Sequence, residues 1–495
     1  MGHPARPADP HAAPHTAQDT HATTHPGTGP DTHPVAEPDN PGAGSALGAR
    51  PGATLAVTSA ATTVALMNYT APMLTLPDMA AAFGTAPAAQ AWLLNGTPLG
   101  LAALLLVAGS LADDYGRRRI FLAGTLALGV TTGIGAFADS TLTFTLARVA
   151  QGAASAAILA SSLGLLVHAF PAGAARIRAT GVWGAFVSAG IALGPLLAGA
   201  LGTVDWRLVY EVLALAGLAT GAFAFRMLTE SRAPRGGRPD LPGALALGLA
   251  LTALLTALTL GRDGWLRAPV GVLAVASAVL LAVFVLVERR SATPMIDLGL
   301  FRRPLFLSAS SGALFTGLAV IGLFSYLPTM LQQQTKISPL GAAWLFLLWS
   351  GTAFLVALQV KRLAGRVTAR HQLALGFVLS AAGVLAMLGA VPAPGGGWMR
   401  LVPGLAVAGV GSGLLNAALP RLSVESVPPE RAAMGSGANN TARYIGSSAG
   451  VALTIAVATA GTNAALAVSA GLSLLGALSV LVFRPGRATT PAPLG

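Results

Sequence analysis

Long apolar stretches separated by short polar turns make up most of the chain from residue 53 onward. Each stretch is long enough for a helix to cross the roughly 30 Å of hydrocarbon in a bilayer. Because lipid offers no partner to backbone polar groups, the pattern predicts transmembrane helices. The fourteen predicted spans are residues 54–76, 89–111, 120–138, 142–169, 179–202, 207–227, 241–260, 268–287, 305–328, 339–360, 372–391, 400–422, 433–460 and 463–483.

One charged segment, Gly109 to Arg119, lies between two apolar runs and fixes the predicted topology. It ends in three arginines, and we read it as a tight turn outside the hydrocarbon. Positive residues are retained on the cytoplasmic side during insertion. With this turn inside, both termini are cytoplasmic, and Lys and Arg divide into 23 in cytoplasmic segments, 5 outside and 2 within spans.

Composition indicates an integral membrane protein. Of 495 residues, 54% are hydrophobic and only 10% charged, and the mean hydropathy is +0.67. Positive-inside bias explains the net charge of +12 better than a nucleic-acid partner does. The chain has no cysteine, which excludes disulfides and thiolate chemistry. Its first fifty residues contain no apolar run like that of a signal peptide, so we expect no cleaved signal.

The predicted organisation has five parts. They are a disordered cytoplasmic tail (1–52), a six-helix bundle (53–228), a connector with two extra transmembrane helices (229–304), a second six-helix bundle (305–484) and a C-terminal cytoplasmic tail (485–495). Six of the eight histidines lie in the first tail at irregular spacings. Metal binding is an alternative there, but we favour incidental histidines in a low-complexity tail, and expect no metal and no cofactor.

The charged turn resembles, nearly position for position, the signature loop between spans two and three of the major facilitator superfamily. The matching residues are Gly109, Asp113, Gly116, Arg117 and Arg118. The resemblance implies an all-α fold in which two six-helix bundles rock about a central pocket, here with two extra central helices, and these residues gate the cytoplasmic side.

The fifth predicted span carries small residues at near-helical spacing, a pattern that lets two helices approach closely. They are Gly181, Gly190, Gly194, Pro195, Ala198 and Gly199. The pattern resembles the antiporter motif of the superfamily, with Ala198 in place of Gly, and implies a bending interface at Gly190, Gly194 and Pro195. The alternative is ordinary packing of small residues.

Arg148 lies near the start of the fourth span. A guanidinium inside a membrane costs about 2.5–3.5 kcal/mol, so we expect it to face a wet cavity or a partner. Arg148, Gln151 and Gly152 match the fourth-span motif of the family, whose arginine is associated with proton transfer. If Arg148 reaches the outer surface, it is instead an anchor.

The first span is similar to that of fourteen-span drug:proton antiporters, but Asn68 stands where they have Asp. Asparagine cannot exchange a proton near neutral pH, whereas a buried carboxylate can. Glu211, one helical turn after Arg207, is our substitute for the coupling acid. The alternative is an ion pair between Glu211 and Arg207 at the outer rim.

The thirteenth span, with Asn439, Arg443 and Gly446, resembles the corresponding span of the fourteen-span exporters. Two intramembrane arginines and no clear mid-membrane acid favour a neutral or anionic substrate. Polar groups at this depth need a cavity or a neighbouring helix. The predicted pocket residues are Asn68, Tyr69, Asn95, Gln151, Trp183, Asn416, Asn439, Arg443 and Tyr444.

These features together predict an exporter of drugs or antibiotics in a bacterial plasma membrane, not an enzyme. It would exchange protons for a small organic substrate, with no nucleic-acid partner, as a monomer in the lipid bilayer. No nucleotide-binding loop follows the required glycine pattern, so an ion gradient is the expected energy source. A uniporter or symporter of the same fold is the main alternative. A membrane-embedded hydrolase using Ser447 or Ser448, or a sensor, is a distant one.

Overall fold

A computed structural model describes residues 2, 50–85, 87–232, 240–261, 264–291, 297–335, 337–359, 366–390 and 398–483. Regular structure in these ranges is entirely helical. The helices are α1 (Pro51–Thr70), α2 (Pro72–Phe83), α3 (Pro87–Tyr115), α4 (Arg117–Ala136), α5 (Thr141–Ala169), α6 (Ala174–Leu201), α7 (Trp206–Met227), α8 (Leu241–Leu260), α9 (Ala268–Arg290), α10 (Pro304–Phe315), α11 (Gly322–Thr335), α12 (Pro339–Leu358), α13 (Ala369–Ala386), α14 (Trp398–Glu425), α15 (Ala432–Ala458) and α16 (Thr462–Val482).

Every apolar segment read from the sequence contains helix. Within the described ranges, twelve helices are long and apolar enough to cross a membrane. α1 and α15 are not among them, because Ser and Thr recur along α1, and α15 carries two asparagines and Arg443. The count of fourteen spans therefore remains a prediction.

The first predicted span is divided into α1 and α2 at Ala71. Pro72 follows this residue, and proline has no N–H to continue the hydrogen-bond ladder of a helix. Between α10 and α11 the chain instead forms one π-helical segment, Thr316–Ile321. Both irregular segments face the centre of the molecule, since each contributes to the cavities described below.

Glycines allow the helices to pack backbone to backbone. A methyl group at Gly100 of α3 would overlap the Val149 carbonyl of α5, and one at Gly152 of α5 would overlap the Thr97 carbonyl of α3. On α15, Gly446 and Gly450 face the carbonyls of Leu314 and Leu318. The Gly446–Gly450 stretch is thus a packing face within a helix.

Several helix pairs join the earlier and later parts of the chain. α3 packs along α15, and α6 packs along α12 and α14. α8 lies against both α3 and α15, whereas α9 contacts mainly α8 and is largely exposed. All the described helices belong to one compact unit, residues 48–495.

The charged segment differs from its predicted form. Helix α3 continues through Asp113 to Tyr115, and the turn consists of Gly116 alone, whose φ of 120° is one that glycine adopts readily. The interpretation of Gly109 to Arg119 as a turn throughout was wrong. Asp113 stays helical because it is buried against α15.

Several predictions lie wholly or partly outside the described residues. They concern the two tails, of which the structure describes only Gly2 and residues 50–52, and parts of the 229–304 connector. The described parts of that connector include α8 and α9, which begin within one residue of the predicted extra spans.

We expect Gly100→Ala to lower the thermal stability of the purified protein, because overpacking a close helix contact costs about 1–3 kcal/mol. The measurement is the unfolding temperature in detergent. Gly471→Ala on α16 is the control, since nothing lies within 4 Å of a methyl group there. Equal unfolding temperatures for the two variants would contradict the packing described for α3 and α5.

Candidate functional site

Arg148 of α5 lies at the centre of a buried hydrogen-bond network. Its side chain is fully buried, and Nη1 donates to the Asn68 carbonyl at 2.7 Å, to Asn68 Oδ1 at 2.7 Å and to Gln151 Oε1 at 2.9 Å. Nη2 donates to the Tyr69 carbonyl at 3.3 Å. The guanidinium is therefore held by α1 and by its own helix, and does not reach a surface as an anchor.

The break after α1 provides one of these acceptors. In a continuous helix, residue 72 would donate its N–H to the carbonyl of Asn68, four residues earlier. Pro72 has no N–H, so this buried carbonyl needs another donor. Arg148 supplies it. The irregular backbone of the first span thus accommodates a cation that the hydrocarbon would otherwise exclude.

The amide groups of the network extend it to α4. Asn68 Nδ2 donates to Thr132 Oγ1 at 2.7 Å, and Gln151 Nε2 donates to the Thr131 carbonyl at 3.1 Å. An asparagine at position 68 therefore uses both ends of its amide, one toward Arg148 and one toward Thr132. Asn68 and Gln151 belong to this network of helix contacts, and neither lines the central cavities described below.

No carboxylate pairs with Arg148 in the described part of the chain. Glu211 is half-buried on α7 and forms no ion pair with any described residue. The alternative pairing of Glu211 with Arg207 is wrong, because Arg207 Nη1 donates instead to the carbonyls of Ala136 at 2.6 Å and Ala138 at 3.0 Å.

The small residues of α6 pack against the opposite face of α1. A methyl group at Gly190 would lie 2.7 Å from the Thr63 carbonyl, and one at Gly194 would lie 2.7 Å from the Met67 carbonyl. α6 remains one helix across Pro195, with Gly181 and Pro195 buried. Gly199 is looser, since its methyl group would meet Leu340 of α12 at 3.4 Å.

Two neighbouring cavities lie between the earlier and later helices. The larger, of about 230 Å³, is lined by residues that include Asn95 of α3, Tyr326 of α11 and Ser447 of α15. The smaller, of about 30 Å³, is lined by residues that include Arg443 and Tyr444. Tyr69, Met73 and Ser325 line both.

Of the predicted pocket residues, four line these cavities: Tyr69, Asn95, Arg443 and Tyr444. Three others form hydrogen bonds between helices. Trp183 Nε1 donates to Thr62 Oγ1 at 2.9 Å, Asn416 Nδ2 to Ser188 Oγ at 2.8 Å, and Asn439 Nδ2 to the Ala309 carbonyl at 3.0 Å.

Most of the cavity lining was not predicted from the sequence. Met73, Ser325, Tyr326, Phe324 and Trp349 are aromatic, apolar or small residues in apolar spans, where nothing in the pattern separates a cavity face from a packed face. Phe324 and Trp349 are stacked with ring centroids 4.1 Å apart. Local signals of irregular backbone near the cavity were Pro72 after α1, Pro98 in α3 and Pro328 in α11.

Asp113 of α3 joins two parts of the molecule near the Gly116 turn. Its Oδ1 lies 2.9 Å from both Nε and Nη2 of Arg117, and its Oδ2 accepts the Met434 N–H at 2.9 Å. Met434 lies in the first turn of α15, where backbone N–H groups have no partner within the helix and favour a negative charge. We call the contact of Asp113 and Arg117 with residues 429–434 the latch.

Arg117 completes the latch. It also donates to the Gly164 carbonyl of α5 at 3.2 Å and to the carbonyls of Pro429 and Glu430 at 3.2 and 3.0 Å. Gly109 allows the close approach, because a methyl group there would lie 2.5 Å from the Ala433 carbonyl. α3, α5 and α15 are thus pinned together at the end that carries Gly116.

Glu230, which sequence analysis did not single out, holds the other side of this turn. Its Oε1 accepts the Arg118 N–H at 3.0 Å, and its Oε2 lies 3.6 Å from Arg119 Nε. Arg118 Nη2 donates to the Phe225 carbonyl at 2.6 Å. Asp113 and Arg117 therefore face α15, while Arg118 and Arg119 face the end of α7.

Comparison with known proteins gives consistent matches. A family model described as Major Facilitator Superfamily matches residues 58–451. The multidrug resistance protein Stp of Mycobacterium tuberculosis is 32% identical over 397 residues, covering 79% of this chain and 73% of that protein. The puromycin resistance protein pur8 of Streptomyces alboniger is 32% identical over 412 residues, covering 82% and 81%.

Two further similarities extend this result. The multidrug efflux pump LfrA of Mycolicibacterium smegmatis is 30% identical over 403 residues, covering 80% of this chain and 79% of that protein. The crystal structure of the human organic anion transporter MFSD10 (TETRAN) superposes with a TM-score of 0.64 at 19% identity, covering 87% of this chain and 99% of that one. At this identity the similarity concerns the fold alone.

We expect Asp113→Asn to loosen the latch, because breaking a buried ion pair costs about 3–5 kcal/mol. The native chain has no cysteine, so Ser436→Cys adds a single thiol at a fully buried position of α15. The rate of its alkylation should rise at least about ten-fold when Asp113→Asn is added. Asp139→Asn, at an exposed position, is the control; equal rates in both variants would contradict the latch.

We expect Asn68→Leu to lower the unfolding temperature, because a hydrogen bond to a charged group contributes about 1.5–3 kcal/mol and Arg148 would lose one. Asn68→Asp keeps the acceptor, adds an opposite charge and should be at least as stable as the native chain. Thermal unfolding in detergent compares them, with Asn95→Leu as the control. If Asn68→Leu is no less stable than Asn95→Leu, Asn68 does not hold Arg148.

Proposed function

Since the chain belongs to the major facilitator superfamily, we propose that it exports small organic molecules, drugs or antibiotics, from a bacterial cell by alternating access. Membership of this family makes it a transporter and not an enzyme. The observation that carries the proposal is the pair of central cavities enclosed by helices from both parts of the chain. The names of the relatives, which include multidrug and puromycin resistance proteins, support the substrate class.

We infer that the latch is the gate on one side of this pathway. Asn95 lies near the start of α3, about 30 Å along the helix from Tyr115. The larger cavity therefore lies in the half of the molecule away from Gly116, beyond a closed latch. In this proposal Gly109, Asp113, Gly116, Arg117 and Arg118 form the gate.

The packing of α6 on α1 supplies the second moving part in this proposal. Gly190 and Gly194 let two backbones slide without interlocking side chains, and Pro195 removes one backbone hydrogen bond of α6. Gly181 and Gly199 continue the same helix. In this proposal the protein alternates between its two open states by movement at the contact between α6 and α1.

We propose fourteen membrane crossings with both termini in the cytoplasm of a bacterial plasma membrane. α1 with α2, and α15, would be the crossings beyond the twelve apolar helices. Most of their polar groups are buried against other helices, so they need not face lipid. α8 and α9 would be the extra pair between two six-helix bundles, and a single chain encloses the whole pathway.

Proton exchange is the proposed source of energy. One elementary charge moving through 100 mV releases about 2.3 kcal/mol, which can drive uphill export. Asn68 cannot carry the proton, so Glu211 is the proposed proton-carrying acid. Arg148 assists coupling only through its hydrogen bonds with the residues around it. A uniporter or symporter is the alternative, favoured by the lack of a carboxylate beside Arg148.

A pH jump applied to proteoliposomes tests this coupling. We expect a proton gradient to accelerate efflux of tritiated 1-naphthaleneacetamide, an uncharged aromatic compound, by the native protein several-fold, and Glu211→Gln to abolish the acceleration while leaving downhill flux. Asn68→Asp should strengthen the proton response, because it places a carboxylate beside Arg148. Glu425→Gln, at the end of α14, is the matched carboxylate control.

Two outcomes would change the assignment. A full proton response in Glu211→Gln would exclude Glu211 as the coupling acid. Export by the native protein that persists after an ionophore collapses the gradient would favour the uniporter.

A further inference from the structure

Arg443 is a buried cation with no hydrogen-bond or ion-pair partner in the described part of the chain. Its side chain is only 6% exposed, and no carboxylate or hydrogen-bond acceptor in the described part of the chain reaches its guanidinium. Nε is fully enclosed and unpartnered, as is the hydroxyl of the neighbouring Tyr444. The Arg443 guanidinium lies 5.3 Å from the Tyr444 ring centroid. A buried charge in this condition is costly unless something else supplies the counter-charge.

The contrast with Arg148 shows that burial alone does not create this condition. Arg148 has acceptors from Asn68, Tyr69 and Gln151 and does not line either cavity. Arg443 lines the smaller cavity, with Tyr69 and Ser325. Nε of each arginine is enclosed without a partner, but Arg148 has acceptors at both Nη atoms. Arg443 has none among the described residues, and it lines a cavity.

The smaller cavity adjoins the larger, mostly apolar one. Tyr69, Met73 and Ser325 line both, and Ser447, one helical turn after Arg443, lines the larger cavity. The rest of the larger lining is mostly apolar, including Leu76, Leu94, Pro98, Val451 and Ile455. Neither cavity has an acidic residue among its described lining. The combined space therefore has one cationic end and one apolar body.

We propose that Arg443 binds the anionic group of an amphiphilic organic anion whose apolar body occupies the larger cavity. This rests on the proposed function, because it names the substrate class of the same pathway. Arg443 supplies the counter-charge, and Tyr444, which lines the same cavity, has a hydroxyl without a partner that can donate a further hydrogen bond. The anionic group of the ligand neutralises the charge of Arg443. The site therefore favours molecules that carry one negative charge on an aromatic or alicyclic ring system.

Equilibrium dialysis with tritiated 1-naphthaleneacetate tests this on the full-length purified protein. The competitor is 1-naphthaleneacetamide, which has the same ring and shape but no charge. We expect the acid to bind the native protein at least about ten-fold more tightly than the amide. Arg443→Met should remove this preference and leave the affinity for the amide unchanged, whereas Arg443→Lys should keep most of it. Arg400→Met, an exposed position, is the control for net charge.

Several results would overturn the proposal. These are equal affinities of the native protein for acid and amide, an equal loss of both in Arg443→Met, or displacement of the acid by chloride alone. If Arg443→Met does not fold, Arg443→Lys and Arg443→Gln are compared by the ratio of acid to amide affinity. A ratio in Arg443→Gln equal to that of the native protein would contradict the proposed site. Flux in proteoliposomes is measured separately. If the acid binds more tightly than the amide but neither compound is transported, the proposed export function is wrong and the Arg443 site stands. If both compounds are transported equally, the Arg443 site is wrong and the export function stands.

Discussion

A guanidinium buried among membrane helices must find its hydrogen-bond acceptors within the protein, and Arg148 imposes this constraint on three helices. It needs the carbonyl that Pro72 leaves without a donor, so α1 must end where it does. It needs the Asn68 amide, which is oriented in turn by Thr132 of α4. The positions of α1, α4 and α5 relative to one another follow from satisfying one cation.

Residues of the first predicted span differ in whether they contact a neighbouring helix or line a cavity. Thr63 and Met67 present backbone to Gly190 and Gly194 on one face of α1, while Asn68 faces Arg148 on another. The residues of this region that line the cavities are Leu66, Tyr69, Thr70, Met73 and Leu76. Substitutions of cavity-lining residues change which molecules can bind. A side chain added at Gly190 or Gly194 of α6 would instead collide with the backbone of α1.

Local features could be predicted from the sequence, and long-range ones could not. The seventh predicted span, 241–260, has the bounds of α8, because hydropathy and the flanking turns are local. The extension of α3 was missed because Asp113 is stabilised by Ala433 and Met434, more than 300 residues later. Trp183 and Asn416 were expected in the pocket, but a polar side chain at that depth is equally satisfied by an adjacent helix, and sequence spacing does not distinguish the two.

Helix α15 runs from Ala432 to Ala458 with no proline, whereas α2, α3, α6 and α11 each have one proline in their interior and α14 has two. Met434 at its first turn belongs to the latch, and Arg443 lines the smaller cavity about 14 Å farther along the same axis. The commonest cause of a sharp kink is therefore absent between those points. If an anion binds beside Arg443, we expect its occupancy to reach the latch as a rigid-body rotation of α15, without a chain of intermediate side chains.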